Sequence, residues 1–182
     1  KLEDKLTYLA YHDSLTQLGN RRKLYKDFPM IQKEANHSDT SIAIFYLDGD
    51  NFKQVNDLHG HDVGDEFLIH FGNSLVKSVR QEDLVVRLGG DEFLIVFTGL
   101  SNDEQERTVQ IEHIMNRIKE NLQIGWRIRG VHFSPTVSIG ISIYPQHSEY
   151  LDELIDLADQ ALYQAKQSSQ YQYCICDVYH NS

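Results

Sequence analysis

Two adjacent glycines, Gly89 and Gly90, stand between Leu84-Val85-Val86 and Phe93-Leu94-Ile95-Val96-Phe97. Both flanks are apolar runs of strand length. A glycine pair between such runs predicts a two-residue hairpin, because primed turns need positive φ. An antiparallel hairpin in a chain that otherwise alternates strands and helices makes the sheet mixed rather than all parallel. The turn also carries chemistry. Asp91 and Glu92 follow Gly90 directly, where the backbone is bare enough for a ligand to approach closely. A turn that only reverses the chain is more naturally Asn-Gly or Asp-Gly with solvated flanks. Acids followed at once by apolar residues point to a divalent cation and a phosphate.

A second acidic cluster supports that reading. Ser41-Ile42-Ala43-Ile44-Phe45-Tyr46-Leu47 is a continuous apolar run that ends in Asp48-Gly49-Asp50-Asn51-Phe52-Lys53. A buried strand that delivers Asp to its carboxyl end places a metal ligand at the rim of a sheet. Asp48 and Asp91 can then share hard cations, with the Gly49 carbonyl as a further oxygen. Magnesium fits best, since it prefers oxygen ligands and bridges to phosphates. The bland alternatives are a solvated Asp-Gly-Asp loop or a calcium loop. The latter needs Glu at position twelve, and counting from Asp48 that position is His59.

Periodicity predicts helices at about 1–12, 20–36, 51–58, 62–79, 103–121 and 150–167. It predicts strands at about 41–48, 84–88, 92–98, 124–132, 136–143 and 171–176. The fold class is therefore α+β (mixed α/β). With 182 residues the chain suits one domain with a sizeable core. A net charge of −10 and the lack of any basic stripe argue against a nucleic-acid surface. No apolar run reaches membrane-spanning length. The Leu2/Leu6/Leu9 stripe and the absent initiator Met are expected of a piece of a longer protein. Cys174 and Cys176 alternate on a strand, face opposite sides, and are expected to pack in reduced form.

The chain resembles the diguanylate cyclases, the GGDEF family, from about Tyr11 to Lys166. Its blocks stand in family order: His12-Asp13-Ser14-Leu15-Thr16 with Asn20-Arg21-Arg22; Asp48 to Lys53; Asn56-Asp57; Gly60-His61 with Gly64-Asp65; Arg87 to Phe93; Thr136 to Gly140; and Ala158 to Lys166. The resemblance implies a five-stranded mixed sheet flanked by helices, similar to the palm of nucleotide cyclases and polymerases. It divides the chain into the end of an input helix (1–12), the cyclase domain (13–168) and a C-terminal strand and tail (169–182).

The implied reaction condenses two GTP into cyclic di-GMP, with release of two pyrophosphates, on a homodimer. Asp48, the Gly49 carbonyl and Asp91 are implied to hold Mg2+, for which Mn2+ can substitute. Glu92 is implied as a metal partner or as the base that helps the attacking hydroxyl. Guanine recognition falls to Asn56 and Asp65. Phosphate contacts fall to the amides of Asn51 and Phe52, to Lys53 and to Lys166, and Gly89 and Gly90 line the substrate. Arg80 and Asp83 stand at the family spacing for an inhibitory product site; taken alone they read as a surface ion pair. His61 and His12 are expected to be structural.

Two departures stand out. The family usually has a branched aliphatic residue at Gly49, and it continues after Lys166 with Gly-Arg-Asn where this chain has Ser169-Gln170-Tyr171. The second removes a cation from the phosphate site. It opens an alternative, a weak or inactive module that binds GTP or cyclic di-GMP within a protein carrying an EAL phosphodiesterase domain. An upstream sensor is expected, and a cytoplasmic location, which includes the cytoplasmic part of a membrane-anchored sensor.

Overall fold

The structure is a computed structural model and describes residues 1–168 and 173–177. Helix α1 (Leu2–Tyr11) leads into α2 (Arg21–Ser38), and the central strand β1 (Ser41–Gly49) follows. Helices α3 (Phe52–His59) and α4 (His61–Val76) come next, then the hairpin β2 (Leu84–Gly89) and β3 (Glu92–Leu100). Helix α5 (Glu104–Ile124) leads to two short strands, β4 (Trp126–Ile128) and β5 (Val131–Phe133). Strand β6 (Val137–Tyr144), α6 (Leu151–Gln167) and β7 (Tyr173–Ile175) complete the order. The main sheet has five strands in the order β2-β3-β1-β6-β7. All its pairings are antiparallel except β6 with β7, so the sheet is mixed as predicted.

Strand β1 is apolar without interruption because both of its faces are covered. Its odd-numbered residues Ala43, Phe45 and Leu47 pack with Phe67 and Phe71 of α4 and with Ile111, Met115 and Ile118 of α5. Its even-numbered residues Ile42, Ile44 and Tyr46 pack with Leu24 and Phe28 of α2 and with Leu154, Ala158 and Leu162 of α6. The apolar positions of α2 (Leu24, Phe28, Ile31, Ala35) recur at helical spacing, and the Asn20 side chain caps the helix by accepting from the Lys23 amide. Helix α1, by contrast, has no buried residue.

Two expectations need correction. The segment 124–132 is not one strand but the arm of a separate two-stranded sheet, β4 with β5, because Arg129 and Gly130 both have positive φ and reverse the chain. The glycine hairpin turns one residue later than expected. Gly89 already pairs with Glu92, a register shift lies between Arg87 and Gly89, and the turn residues are Gly90 and Asp91. Asp91 therefore sits in the turn itself. Of the last strand, 173–175 is strand as predicted, while Tyr171 lies with Ser169 and Gln170 outside the described residues.

Candidate active site

Asp48, the last side chain on the α2/α6 face of β1, is paired across the ladder with Glu92, the first residue of β3. Strand alternation puts both carboxylates on that one face. The turn adds Asp91, within hydrogen-bonding reach of the Asp48 carboxyl. Helix α6 adds Lys166, whose ammonium is ion-paired to Asp48 Oδ2. Asp48 Oδ1 is buried and has no hydrogen-bond partner among the described residues. Burial, and after it the neighbouring Asp91, push the Asp48 carboxyl up to about 6, against the pull of Lys166. Burial works to lower Lys166, but hydrogen bonding and attraction from Asp48, with Asp91 and Asp50, leave its net shift upward.

Such a pair fits a hard cation. Two carboxylates held together beside a strand end, one with a buried oxygen that has no partner among the described residues, carry more negative charge than Lys166 offsets. Among the described residues no three His, Cys, Asp or Glu side chains form a closed ligand cluster, so a metal here would depend on carbonyl and phosphate oxygens as well. Gly49 is buried, and a Cβ there would meet the Phe71 ring at 3.6 Å, an ordinary van der Waals contact.

Beyond Asp48 the chain is clamped. The Asp50 amide donates to the Thr136 carbonyl at 3.0 Å, and its carboxylate accepts from Thr136 Oγ1 and Ser138 Oγ, both at 2.7 Å. Asn51 then adopts a left-handed conformation (φ 63°), from which α3 starts with Phe52 and the exposed Lys53. The first-turn amides of α3 are thereby presented at an exposed helix start, where an anion is favoured. Asn56 lies over Gly64 of α4. A Cβ at Gly64 would stand 1.8 Å from Asn56 Oδ1, so glycine there is what admits the amide. Asp65 is the next residue and is exposed.

The structure thus gathers Asp48, Asp91, Glu92 and Lys166 at one strand end, and Asn56 beside the residue preceding Asp65. Arg80 and Asp83 are elsewhere, at the far end of β2. Six residues at about 3.3 Å each put about 20 Å between them and the turn. The Asp83 side chain is fully buried and accepts from the amides of Arg80 (2.9 Å) and Thr98 (3.0 Å). Arg80 is half exposed and donates to the Thr98 carbonyl at 2.6 Å.

Three features had no place in the sequence reading. The Tyr46 hydroxyl donates to Glu92 Oε2 at 3.0 Å. The Asp50 clamp onto Thr136 and Ser138 was unassigned, although all three residues stand in recognised blocks. Arg87 joins the turn to the entry loop: its Nε donates to the Gly90 carbonyl (2.9 Å), and its Nη1 pairs with Asp13 (3.0 Å). Burial raises Asp13, but hydrogen bonds from Thr16 and Arg87 outweigh it and hold the carboxyl below its usual range. The signal for Tyr46 was available, since it precedes Asp48 by two residues and so shares its face.

A mixed sheet with paired acids and a lysine at one strand end, beside a helix start suited to an anion, defines a domain of α+β class with a charged site at the sheet's rim. The family model for the diguanylate cyclase GGDEF domain matches residues 10–172, and the chain belongs to that family. It is 39% identical to the diguanylate cyclase DosC of Escherichia coli over 85% of this chain and 32% of that one. It is 33% identical to the cyclic di-GMP phosphodiesterase PdeR of the same organism, over 96% of this chain and 25% of that one. The chain therefore spans about a quarter to a third of these relatives. Among solved structures, the GGDEF domain of PA1120 (TpbB or YfiN) from Pseudomonas aeruginosa superposes with a TM-score of 0.81 at 32% identity, covering 91% of this chain and 94% of that one.

Proposed function

We propose that this domain is a diguanylate cyclase that condenses two GTP into cyclic di-GMP, each step being attack of a ribose 3′-hydroxyl on an α-phosphate. The observation that carries the reading is the strand-end carboxylate pair: Asp48, with its unpartnered oxygen, against Asp91. Asp48, the Gly49 carbonyl and Asp91 would hold Mg2+, or Mn2+ in its place, with Glu92 beside them. Bound there, the ion supplies Lewis-acid polarisation of the phosphoryl oxygens. The protein's own groups do the rest. The amides of Asn51 and Phe52, with Lys53 and Lys166, bind phosphate, and Lys166 exchanges Asp48 for the triphosphate. Gly89 and Gly90, without side chains, let the substrate lie against the turn. Asn56 and Asp65 read guanine, because a carboxylate can accept from its ring N–H and its amine, groups adenine does not offer in that arrangement.

The reaction needs two such domains facing each other, hence a homodimer, and Arg80 with Asp83 forms the inhibitory product site. An upstream sensor and a cytoplasmic location complete the reading, and a downstream EAL domain belongs to the second one; no helix among the described residues is long and apolar enough to cross a membrane. The test is direct. Purified protein with GTP and Mg2+ is expected to yield cyclic di-GMP on chromatography. Folded dimer that binds GTP and yields no product promotes the second reading, a regulatory binding module. What favours that second reading is Lys166, which sits on the very carboxylate that a cation needs.

A further inference from the structure

Among the residues that the functional reading leaves without a part, one stands out by position. Strand β1 is aliphatic or aromatic hydrocarbon from Ile42 to Leu47 except for a single hydroxyl, that of Tyr46. Its ring is 6% exposed and lies in the cluster formed with Leu24, Phe28, Leu94, Ala158 and Leu162. A buried hydroxyl needs a hydrogen-bond partner. Here the partner is Glu92, which belongs to the carboxylate group rather than to the packing around it.

The register explains how the two meet. Asp48 is directly opposite Glu92, and Tyr46 is opposite Leu94. Tyr46 and Glu92 are therefore diagonal neighbours on one face, a separation that a long aromatic side chain can bridge. We infer that Tyr46 is a positioning residue for the cyclase reaction: its phenol holds one oxygen of the Glu92 carboxylate, so that Glu92 turns its other oxygen to the site in a fixed orientation. The inference rests on the proposed cyclase reading.

The packing supports it. The ring is locked by packing between α2 and α6, so the donor cannot swing away without opening the core. A carboxylate with one lone pair so occupied is held in one orientation, which favours contact through its other oxygen with a metal or with the attacking hydroxyl. A phenylalanine at position 46 would fill the same space and leave Glu92 free to rotate.

The bland reading is that Glu92 merely satisfies a buried tyrosine. The two readings separate in the Tyr46→Phe protein, which keeps the ring. We expect an unchanged melting temperature within a few degrees, a kcat lower by roughly tenfold as for loss of one charge-assisted hydrogen bond, and a KM for GTP within about twofold. In a Glu92→Gln background the same substitution is expected to have no further effect. Mn2+ binding to the full chain with a non-hydrolysable GTP analogue, followed by electron paramagnetic resonance, is expected to weaken severalfold in Tyr46→Phe. Equal kcat and equal Mn2+ affinity in the two proteins overturn the inference. If the unsubstituted protein makes no cyclic di-GMP, the cyclase reading fails, and the Mn2+ measurement alone decides: weaker binding in Tyr46→Phe upholds the role of Tyr46, and equal binding ends it.

Discussion

At the scale of single residues, the site is assembled against the stability of the fold. Asp48 is forced into a poorly solvated place beside another carboxylate, and its carboxyl is pushed up to about 6 from 3.8. A carboxyl raised in the folded state binds its proton more tightly there than in the unfolded chain. The resulting stability is fully present below the unfolded value and is lost as pH rises through about 6. The metal-free domain is therefore expected to lose stability between about pH 4 and pH 7 through this group, as chemical denaturation at several pH values would show. Asp91→Asn removes the neighbouring charge. At pH 7.5 it should stabilise the metal-free fold by about 1 kcal/mol, a rise of a few degrees in Tm, while lowering GTP turnover by at least about a hundredfold. A protein that lost both stability and activity would instead mean that Asp91 supports the turn. Base selection belongs to this scale too. Asp65→Ser should narrow the preference for GTP over ATP in initial rates, because the unpaired carboxylate that penalises adenine is gone.

At the scale of elements, the site depends on how closely α6 lies on the sheet, since Lys166 rides on that helix. The contact is made at Gly140 of β6, where a Cβ would stand 2.0 Å from the Ala158 carbonyl oxygen and 2.2 Å from the Leu162 amide nitrogen. Both are backbone atoms and cannot rotate aside. Gly140→Ala should cost about 3 kcal/mol or more, read as a lower denaturation midpoint at unchanged slope, and it should also weaken GTP binding by displacing Lys166. This packing was only half legible beforehand. The block Thr136–Gly140 could be recognised as part of a family pattern, but which helix the glycine admits depends on a contact between residues 18 or more apart. The central sheet was legible because continuous apolar runs have one explanation when both faces are covered. The β4–β5 hairpin was not, because Arg129-Gly130 lacks the usual Asn-Gly or Asp-Gly signal and the apolar alternation of Ile124, Trp126 and Ile128 leads straight up to it. The glycine turn was placed one residue early, since spacing alone does not reveal the register shift between Arg87 and Gly89. The acids of the site were legible as strand-end carboxylates. Their partners Tyr46 and Lys166 came together only through register and helix packing.

At the scale of the whole molecule, one hairpin carries two stations at its opposite ends. The turn at Gly90 and Asp91 serves the proposed chemistry, and the start of β2 carries Arg80 and Asp83. One domain offers one set of strand-end acids, whereas the proposed product joins two guanylates, so turnover per chain should rise with protein concentration until the dimer is saturated. A ligand that bridges domains through the far end of the hairpin could hold two such sites apart without touching either. The structure divides the labour there unequally. Asp83 is fully buried and occupied with the amides of Arg80 and Thr98, which makes it the residue that shapes the corner. Arg80 is 53% exposed and, among the described residues, holds a carbonyl and two acids at its own corner, so its guanidinium can turn to the O6 and N7 of a guanine. The two substitutions should therefore part company. Asp83→Ala should destabilise the domain by about 1–3 kcal/mol, because it leaves buried amides without an acceptor. Arg80→Ala should melt within a degree or two of the unsubstituted protein, keep its initial GTP turnover, and lose inhibition by added cyclic di-GMP. Calorimetry with cyclic di-GMP checks the last step: affinity lost in Arg80→Ala assigns the product site to the exposed guanidinium, and equal affinity in both proteins returns Arg80 and Asp83 to an ion pair that shapes the corner of the hairpin.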